Sequence, residues 1–173
     1  MAKVIFITGG ARSGKSRLAE ARAREFGTPL CYLATGQAGD GEMTDRIARH
    51  QARRGPEWQT LEEPLRLLEA IQGHDGYFSA MLLDCLTLWL SNLLFHYGNP
   101  GQVLEEVRAL AGAFGGLQTP LVIVSNEVGM GIVPENQLAR TFRDLAGEAN
   151  ELIAAAADEV YVTFSGLPLK LKG

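Results

Sequence analysis

Apolar residues in this chain fall into short unbroken runs that alternate with stretches of helical spacing. KVIFITG (3–9) is a continuous apolar run ending in glycine, the pattern of a parallel strand buried on both faces. SRLAEARAREF (16–26) has helical spacing, and LCYLAT (30–35) reads as a second strand. EMTDRIARHQARR (42–54) is expected to form a helix with Asp40 as its N-cap and Gly55-Pro56 as its stop. PLRLLEAIQ (64–72) predicts another helix, AMLLDC (80–85) a third strand, and LTLWLSNLLFHYG a helix after it. VLEEVRALAGAF (103–114) is an amphipathic helix ended by Gly115-Gly116, and PLVIVSN (120–126) is a fourth strand. ENQLARTFRDLAGEANELIAAAA (135–157) predicts one long helix. EVYVTFSG (159–166) and the run 168–172 form two strands around a tight glycine-containing turn, so the last is antiparallel.

Alternating strands and helices imply an α/β fold, with a mostly parallel central sheet, helices on both faces and an antiparallel C-terminal edge strand. The 173 residues suit one domain spanning 1–173. No repeat, low-complexity tract or linker interrupts them. The glycine-rich GQAGDGEM (36–43) is expected to act as a hinge before the helix that follows.

Composition narrows the function classes. Hydrophobic residues make up 46% and charged residues 21%, ordinary for a soluble globular chain. A net charge of −4 provides no global basic field, so a nucleic-acid partner is not expected. The nearest approach to a membrane span, residues 80–95, is short and carries Asp84, Thr87, Ser91 and Asn92, so a strand and a buried helix are the better reading. Cys31 and Cys85 both sit in apolar runs, without disulfide or zinc spacing. That points to a reducing compartment, the cytoplasm, and no secretory leader is expected.

The candidate chemistry starts at Gly9-Gly10-Ala11-Arg12-Ser13-Gly14-Lys15-Ser16, a complete match to G-x-x-x-x-G-K-[ST]. It stands between a strand and a helix, where backbone N–H groups and the helix N-terminus can cradle phosphates. A fold like that of P-loop NTPases follows. Lys15 is expected to reach the outer phosphates and Ser16 to ligate Mg²⁺ through its hydroxyl. In open α/β sheets, ligands sit at the carboxyl ends of strands. Thr35, Gly36, Asn126 and Glu127 lie at such ends. Asp84 does too, either as a ligand of Mg²⁺ or its water, or as the N-cap of the next helix.

The helix at 42–54 carries Arg46, His50, Arg53 and Arg54 on one side, with Arg49 adjacent and Met43 and Ile47 on an apolar face. Two readings stand at this point. One is a solvated basic face with an incidental histidine. The other is an anion-binding face on which a neutral His50 serves as nucleophile toward a triphosphate. His74 and His96 have no such setting and read as structural.

The segments GGARSGKS, EMxxRIxxH, the W-x-T-x-E of Trp58, Thr60 and Glu62, SNEVGMGIVPEN and ARTFRDLAGEAN occur together in an order and spacing that resemble one family over nearly the full length. That family is the bifunctional adenosylcobinamide kinase / adenosylcobinamide-phosphate guanylyltransferase of cobalamin biosynthesis. The resemblance implies phosphorylation of adenosylcobinamide by ATP or GTP, then GMP transfer from GTP through a histidine-GMP intermediate to adenosylcobinamide phosphate. It implies that His50 carries the GMP. It also implies nucleotide contacts at Gly9 to Ser16, at Ala34, Thr35 and Gly36, at Gln51, Ala52, Arg53 and Arg54, and at Glu62 and Asp84, with Mg²⁺ at Ser16 and Asp84. Glu62 suits guanine, because a carboxylate accepts from both N1–H and N2–H₂. A homo-oligomer, a trimer with the site between subunits, is implied as well. The chain departs from the family pattern at Arg49, where relatives carry a second histidine, and at Asp84, where they carry the longer glutamate. A kinase of another small molecule would keep the loop, Asp84 and Mg²⁺ without a covalent nucleotide. A GTP-driven switch would read guanine through N-K-x-D, which is absent from the sequence.

Overall fold

A computed structural model describes residues 1–36 and 54–173. The expected hinge beyond Gly36 and the helix with His50 lie outside the described residues, apart from Arg54 at its end. The described strands are β1 (Val4–Gly9), β2 (Leu30–Ala34), β3 (Trp58–Glu62), β4 (Ala80–Asp84), β5 (Leu121–Val124), β6 (Glu159–Phe164) and β7 (Leu167–Lys172). The described helices are α1 (Lys15–Arg24), α2 (Leu67–Gly73), α3 (Leu86–Tyr97), α4 (Pro100–Ala113) and α5 (Gln137–Ala156). They build one seven-stranded sheet in the order β3-β2-β4-β5-β1-β6-β7. All neighbours are parallel except β6 and β7, so the antiparallel edge strand is as the turn chemistry predicts.

Side chains on successive strand positions point to opposite faces, and the apolar runs therefore feed two cores. Val4, Phe6, Leu33, Leu83 and Ile123 face α2 through α5, where Trp89, Leu90, Val107 and Ile153 meet them. Ile5, Ile7, Leu30, Leu82 and Val124 face α1 through Ala19 and Ala23. The helix α3 is buried through most of its length, with Leu86, Trp89, Leu90 and Leu93 at most 2% exposed, while Phe95 and Tyr97 in its last turn are exposed. No helix among the described residues is long and apolar enough to cross a membrane.

Three elements differ from expectation. The strand β3 is not foreseen, and it moves AMLLDC from third to fourth strand in chain order. Trp58–Glu62 is an edge strand with no fully buried side chain, so it lacks the apolar run that marks the other strands. The helix α2 starts at Leu67, not Pro64, because the Glu63 carboxylate accepts the N–H groups of Leu65 and Arg66 at 2.9 and 2.7 Å and holds 63–66 as a turn. The helix α4 starts three residues early, where Asn99 caps it by accepting from Gly101 N and Pro100 occupies the first position.

Candidate functional site

The loop 9–16 joins β1 to α1 and is shaped by its glycines. Gly9 has φ +151°, and a Cβ there would meet Thr163 Oγ1 at 2.5 Å and the Thr163 carbonyl at 2.7 Å. Gly14 has φ +96° at the N-cap of α1, and its Cβ would lie 3.0 Å from Gly166 Cα. Both positions exclude side chains, by backbone angle and by the β6–β7 hairpin pressed against the loop. That hairpin is an anchor the sequence does not announce. Gly166 N–H donates to Ser13 O at 2.9 Å, and the buried Ser13 and Thr163 hydroxyls share a hydrogen bond of 2.6 Å. Lys15 is buried and its ammonium donates to Gly10 O at 2.6 Å, so the cation lies across the loop's own backbone. Ala11 and Arg12 form the exposed crest, with Arg12 at φ +55°.

The helix α1 packs over β5 and β4 rather than over β1 alone. That crossing brings Ser16 to the end of β4, where its hydroxyl lies 3.4 Å from Asp84 Oδ2. Asp84 does not cap α3: the cap position is Cys85, with no side-chain cap bond. The Asp84 carboxylate instead accepts from the Tyr32 hydroxyl at 2.7 Å. Ala34 pairs in register with Glu62 on one side and Asp84 on the other, so three predicted site positions form one row across the carboxyl edge. Thr35, fully buried, locks that row. Its hydroxyl donates to Cys85 O at 2.7 Å and accepts from Cys85 N at 3.0 Å, while Asn92 holds the Thr35 carbonyl at 2.8 Å. Gly36 follows with Leu88 Cδ1 within 3.3 Å of where its Cβ would stand. Glu62 is exposed at the row's outer end.

The end of β5 closes the other side. Glu127 N–H donates to Gly9 O at 2.9 Å, which ties the start of SNEVGMGIVPEN to the phosphate loop. Behind it the buried Ser125 hydroxyl donates to Asn150 at 2.6 Å and pairs with Thr87 at 3.2 Å, and the Thr87 oxygen accepts from Asn126 N at 2.7 Å. The loop beyond exposes Met130, Ile132 and Val133.

Arg54 stacks its guanidinium 3.3 Å from the Tyr32 ring centroid, and its Nη1 is buried with no hydrogen-bond partner among the described residues. Burial first, and then the Asp84 charge, push the Tyr32 phenol far above its ordinary pKa, so it remains a donor. His50, Gln51, Ala52 and Arg53 lie outside the described residues. His74 bonds Ala70 O through Nδ1 at 2.8 Å, and His96 is exposed at the end of α3 against Tyr97. Tyr32 escapes sequence reading because it sits in an apolar strand run. Its one signal is a hydroxyl two residues before the strand's carboxyl end.

The geometry can hold phosphate oxygens over the loop and a hard cation beside it. Among the described residues no group of three His, Cys, Asp or Glu could hold a metal alone. Ser16 and Asp84 are 3.4 Å apart, close to the roughly 3 Å between adjacent oxygens of an octahedral ion with bonds of about 2.1 Å. The pair fits an ion that takes its remaining oxygens from a nucleotide and water.

The family described as "Cobinamide kinase / cobinamide phosphate guanyltransferase" matches residues 5–171. The chain is 48% identical to the "Bifunctional adenosylcobalamin biosynthesis protein CobP" of Pseudomonas aeruginosa, covering 96% of each chain. It is 43% identical to the corresponding CobU protein of Escherichia coli, over 98% of this chain and 99% of that one. Among solved structures, the P4 protein of bacteriophage phi6 in complex with ADP superposes with a TM-score of 0.53 at 14% identity, covering 97% of this chain and 54% of that one. That likeness speaks to the fold alone.

Proposed function

The chain belongs to the cobinamide kinase / cobinamide phosphate guanyltransferase family, and we propose that it carries out both transfers at the carboxyl edge formed by β3, β2, β4, β5 and β1. In the first, the aminopropanol hydroxyl oxygen of adenosylcobinamide attacks the γ-phosphorus of ATP or GTP. A P–O bond forms, the β–γ bridge breaks, the hydroxyl proton is released and a nucleoside diphosphate leaves. In the second, an imidazole nitrogen of His50 attacks the α-phosphorus of GTP and pyrophosphate leaves. A phosphate oxygen of adenosylcobinamide phosphate then displaces the imidazole to give adenosylcobinamide-GDP. The covalent step divides one hard displacement into two easier ones.

The observation that carries this reading is the meeting of Ser16, Lys15 and Asp84 around the loop at 9–16. Gly9 to Ser16 hold the phosphates, and the Lys15 ammonium, released from Gly10 O, moves onto the transferring group. Ser16 and Asp84 hold Mg²⁺, which when bound neutralises charge on the phosphate oxygens. Ala34, Thr35 and Gly36 floor the nucleotide, Glu62 accepts from guanine, and Gln51, Ala52, Arg53 and Arg54 are assigned nucleotide contacts by the family resemblance. The apolar side chains of Met130, Ile132 and Val133 suit the corrinoid acceptor, beside a loop that begins at Gly9. The protein works in the cytoplasm as a homo-oligomer, a trimer sharing its sites; a monomer by light scattering at micromolar concentration would refute that part.

The test is incubation with α-³²P-GTP and Mg²⁺, followed by denaturing electrophoresis, for the native protein and His50→Ala. Label stable to base, labile to acid and lost in the variant is expected. Absence of label alongside intact γ-phosphate transfer to adenosylcobinamide would leave a kinase only.

A further inference from the structure

One buried side chain at this edge is unexplained by packing. Tyr32 is 6% exposed on the α1 face of β2, among Leu30, Leu82 and Ala19. Phenylalanine would fill that space equally well, so the hydroxyl is the part to account for. It donates at 2.7 Å to Asp84 Oδ2, the same oxygen that Ser16 approaches at 3.4 Å. A face of the ring carries the Arg54 guanidinium at 3.3 Å, and the edge of Trp58 meets it at 6.3 Å and 76°. One residue thus touches the acidic and the basic group of the edge at once.

We infer that Tyr32 is a positioning residue: its hydroxyl fixes the Asp84 carboxylate toward Ser16, and its ring seats Arg54 at the same edge. The inference rests on Asp84 acting as a ligand of the nucleotide's Mg²⁺. Of the two hydroxyl donors on Asp84 Oδ2, Tyr32 at 2.7 Å is the short one and Ser16 at 3.4 Å the long one, so Tyr32 sets the carboxylate's orientation. Without that donor the carboxylate samples several rotamers, and binding an ion then requires ordering it. A planar guanidinium over an aromatic face is likewise pre-oriented, with its N–H edge left for an anion.

The readout is the factor by which Mg²⁺ tightens α,β-methylene GTP, measured by calorimetry with and without EDTA. This analogue cannot lose pyrophosphate, and without acceptor its γ-phosphate goes nowhere. Asp84→Asn is expected to abolish the enhancement. Tyr32→Phe is expected to reduce it by about 10–100-fold while metal-free affinity and melting temperature stay at native values. Tyr32→Leu is expected to weaken metal-free binding as well, because Arg54 loses its seat. Full enhancement in Tyr32→Phe beside loss in Asp84→Asn would overturn the role of Tyr32 and leave the site reading intact. Full enhancement in Asp84→Asn would remove Asp84 as a ligand, and the inference with it. A Tyr32→Phe protein that melts early and binds weakly with or without metal would reduce Tyr32 to packing.

Discussion

Replacing Gly9 by alanine tests how the phosphate loop is built. The new Cβ would stand 2.5 Å from Thr163 Oγ1, 2.7 Å from Thr163 O and 2.8 Å from Ser13 Oγ. The second of these is backbone of β6, a strand paired on both sides, and cannot rotate away. Two costs combine. A φ of +151° is a conformation that side chains with a Cβ rarely adopt, which costs of order 1–3 kcal/mol. Forcing an extra methyl into packed surroundings costs about 1–3 kcal/mol more. Against a typical stability of about 5–15 kcal/mol the total is a large share. At about 2–4 °C per kcal/mol for a chain of this size, the melting temperature should fall by roughly 5–20 °C. Nucleotide affinity should fall with it, since the clash moves the Ser13 and Thr163 hydroxyls that brace the loop. Gly10→Ala is the control: it meets nothing within 4 Å, so its melting temperature should stay close to native. The assay is thermal unfolding by circular dichroism at fixed protein concentration, with nucleotide titration of each variant. If Gly9→Ala melts where Gly10→Ala does, the argument from the β6–β7 hairpin is wrong.

Three further outcomes are expected. Lys15→Ala should lower kcat for γ-phosphate transfer by about 10²–10³-fold in a coupled kinase assay, while the fold measured by circular dichroism is retained. The Glu159 carboxyl is held at about 2 by the Lys3 hydrogen bond first, against the effect of its burial, with Tyr161 and Arg22 adding to the stabilisation. Because its folded pKa is depressed below the ordinary 4.5, its contribution is fully present above that value and is lost as pH falls from about 4.5 toward about 2. Glu159→Gln should therefore cost about 1–3 kcal/mol at pH 7, discounted for the half-exposed lysines, and the difference from native should shrink in urea titrations at lower pH. Burial pushes the Cys31 thiol up to about 12 and the Cys85 thiol up to about 11, so both should resist a thiol reagent at pH 8 until denaturant is added.

Much of this molecule can be read from its chain, for a local reason. Parallel strands buried on both faces must be apolar at every position, so β1, β2, β4 and β5 stand out as short runs such as VIFIT and LVIV. The phosphate loop is legible because backbone angles at Gly9 and Gly14 permit almost nothing else. The strand β3 is not legible, since an edge strand exposed on one side has no such run, and α2 is misplaced at its start because Glu63 caps a turn that periodicity does not show. Of the site, Asp84 can be nominated by its place at a strand end. Whether it caps a helix or faces a phosphate depends on where α1 crosses the sheet, and that is a matter of packing between residues 68 apart in sequence. The same holds for Tyr32, 52 residues from its carboxylate partner, and for Gly166 on Ser13. Short-range chemistry writes a loop or a strand directly into the sequence, because each residue's own angles and neighbours decide it. Which loop meets which carboxylate is decided by long-range packing of the whole sheet, and only the tertiary structure holds that answer.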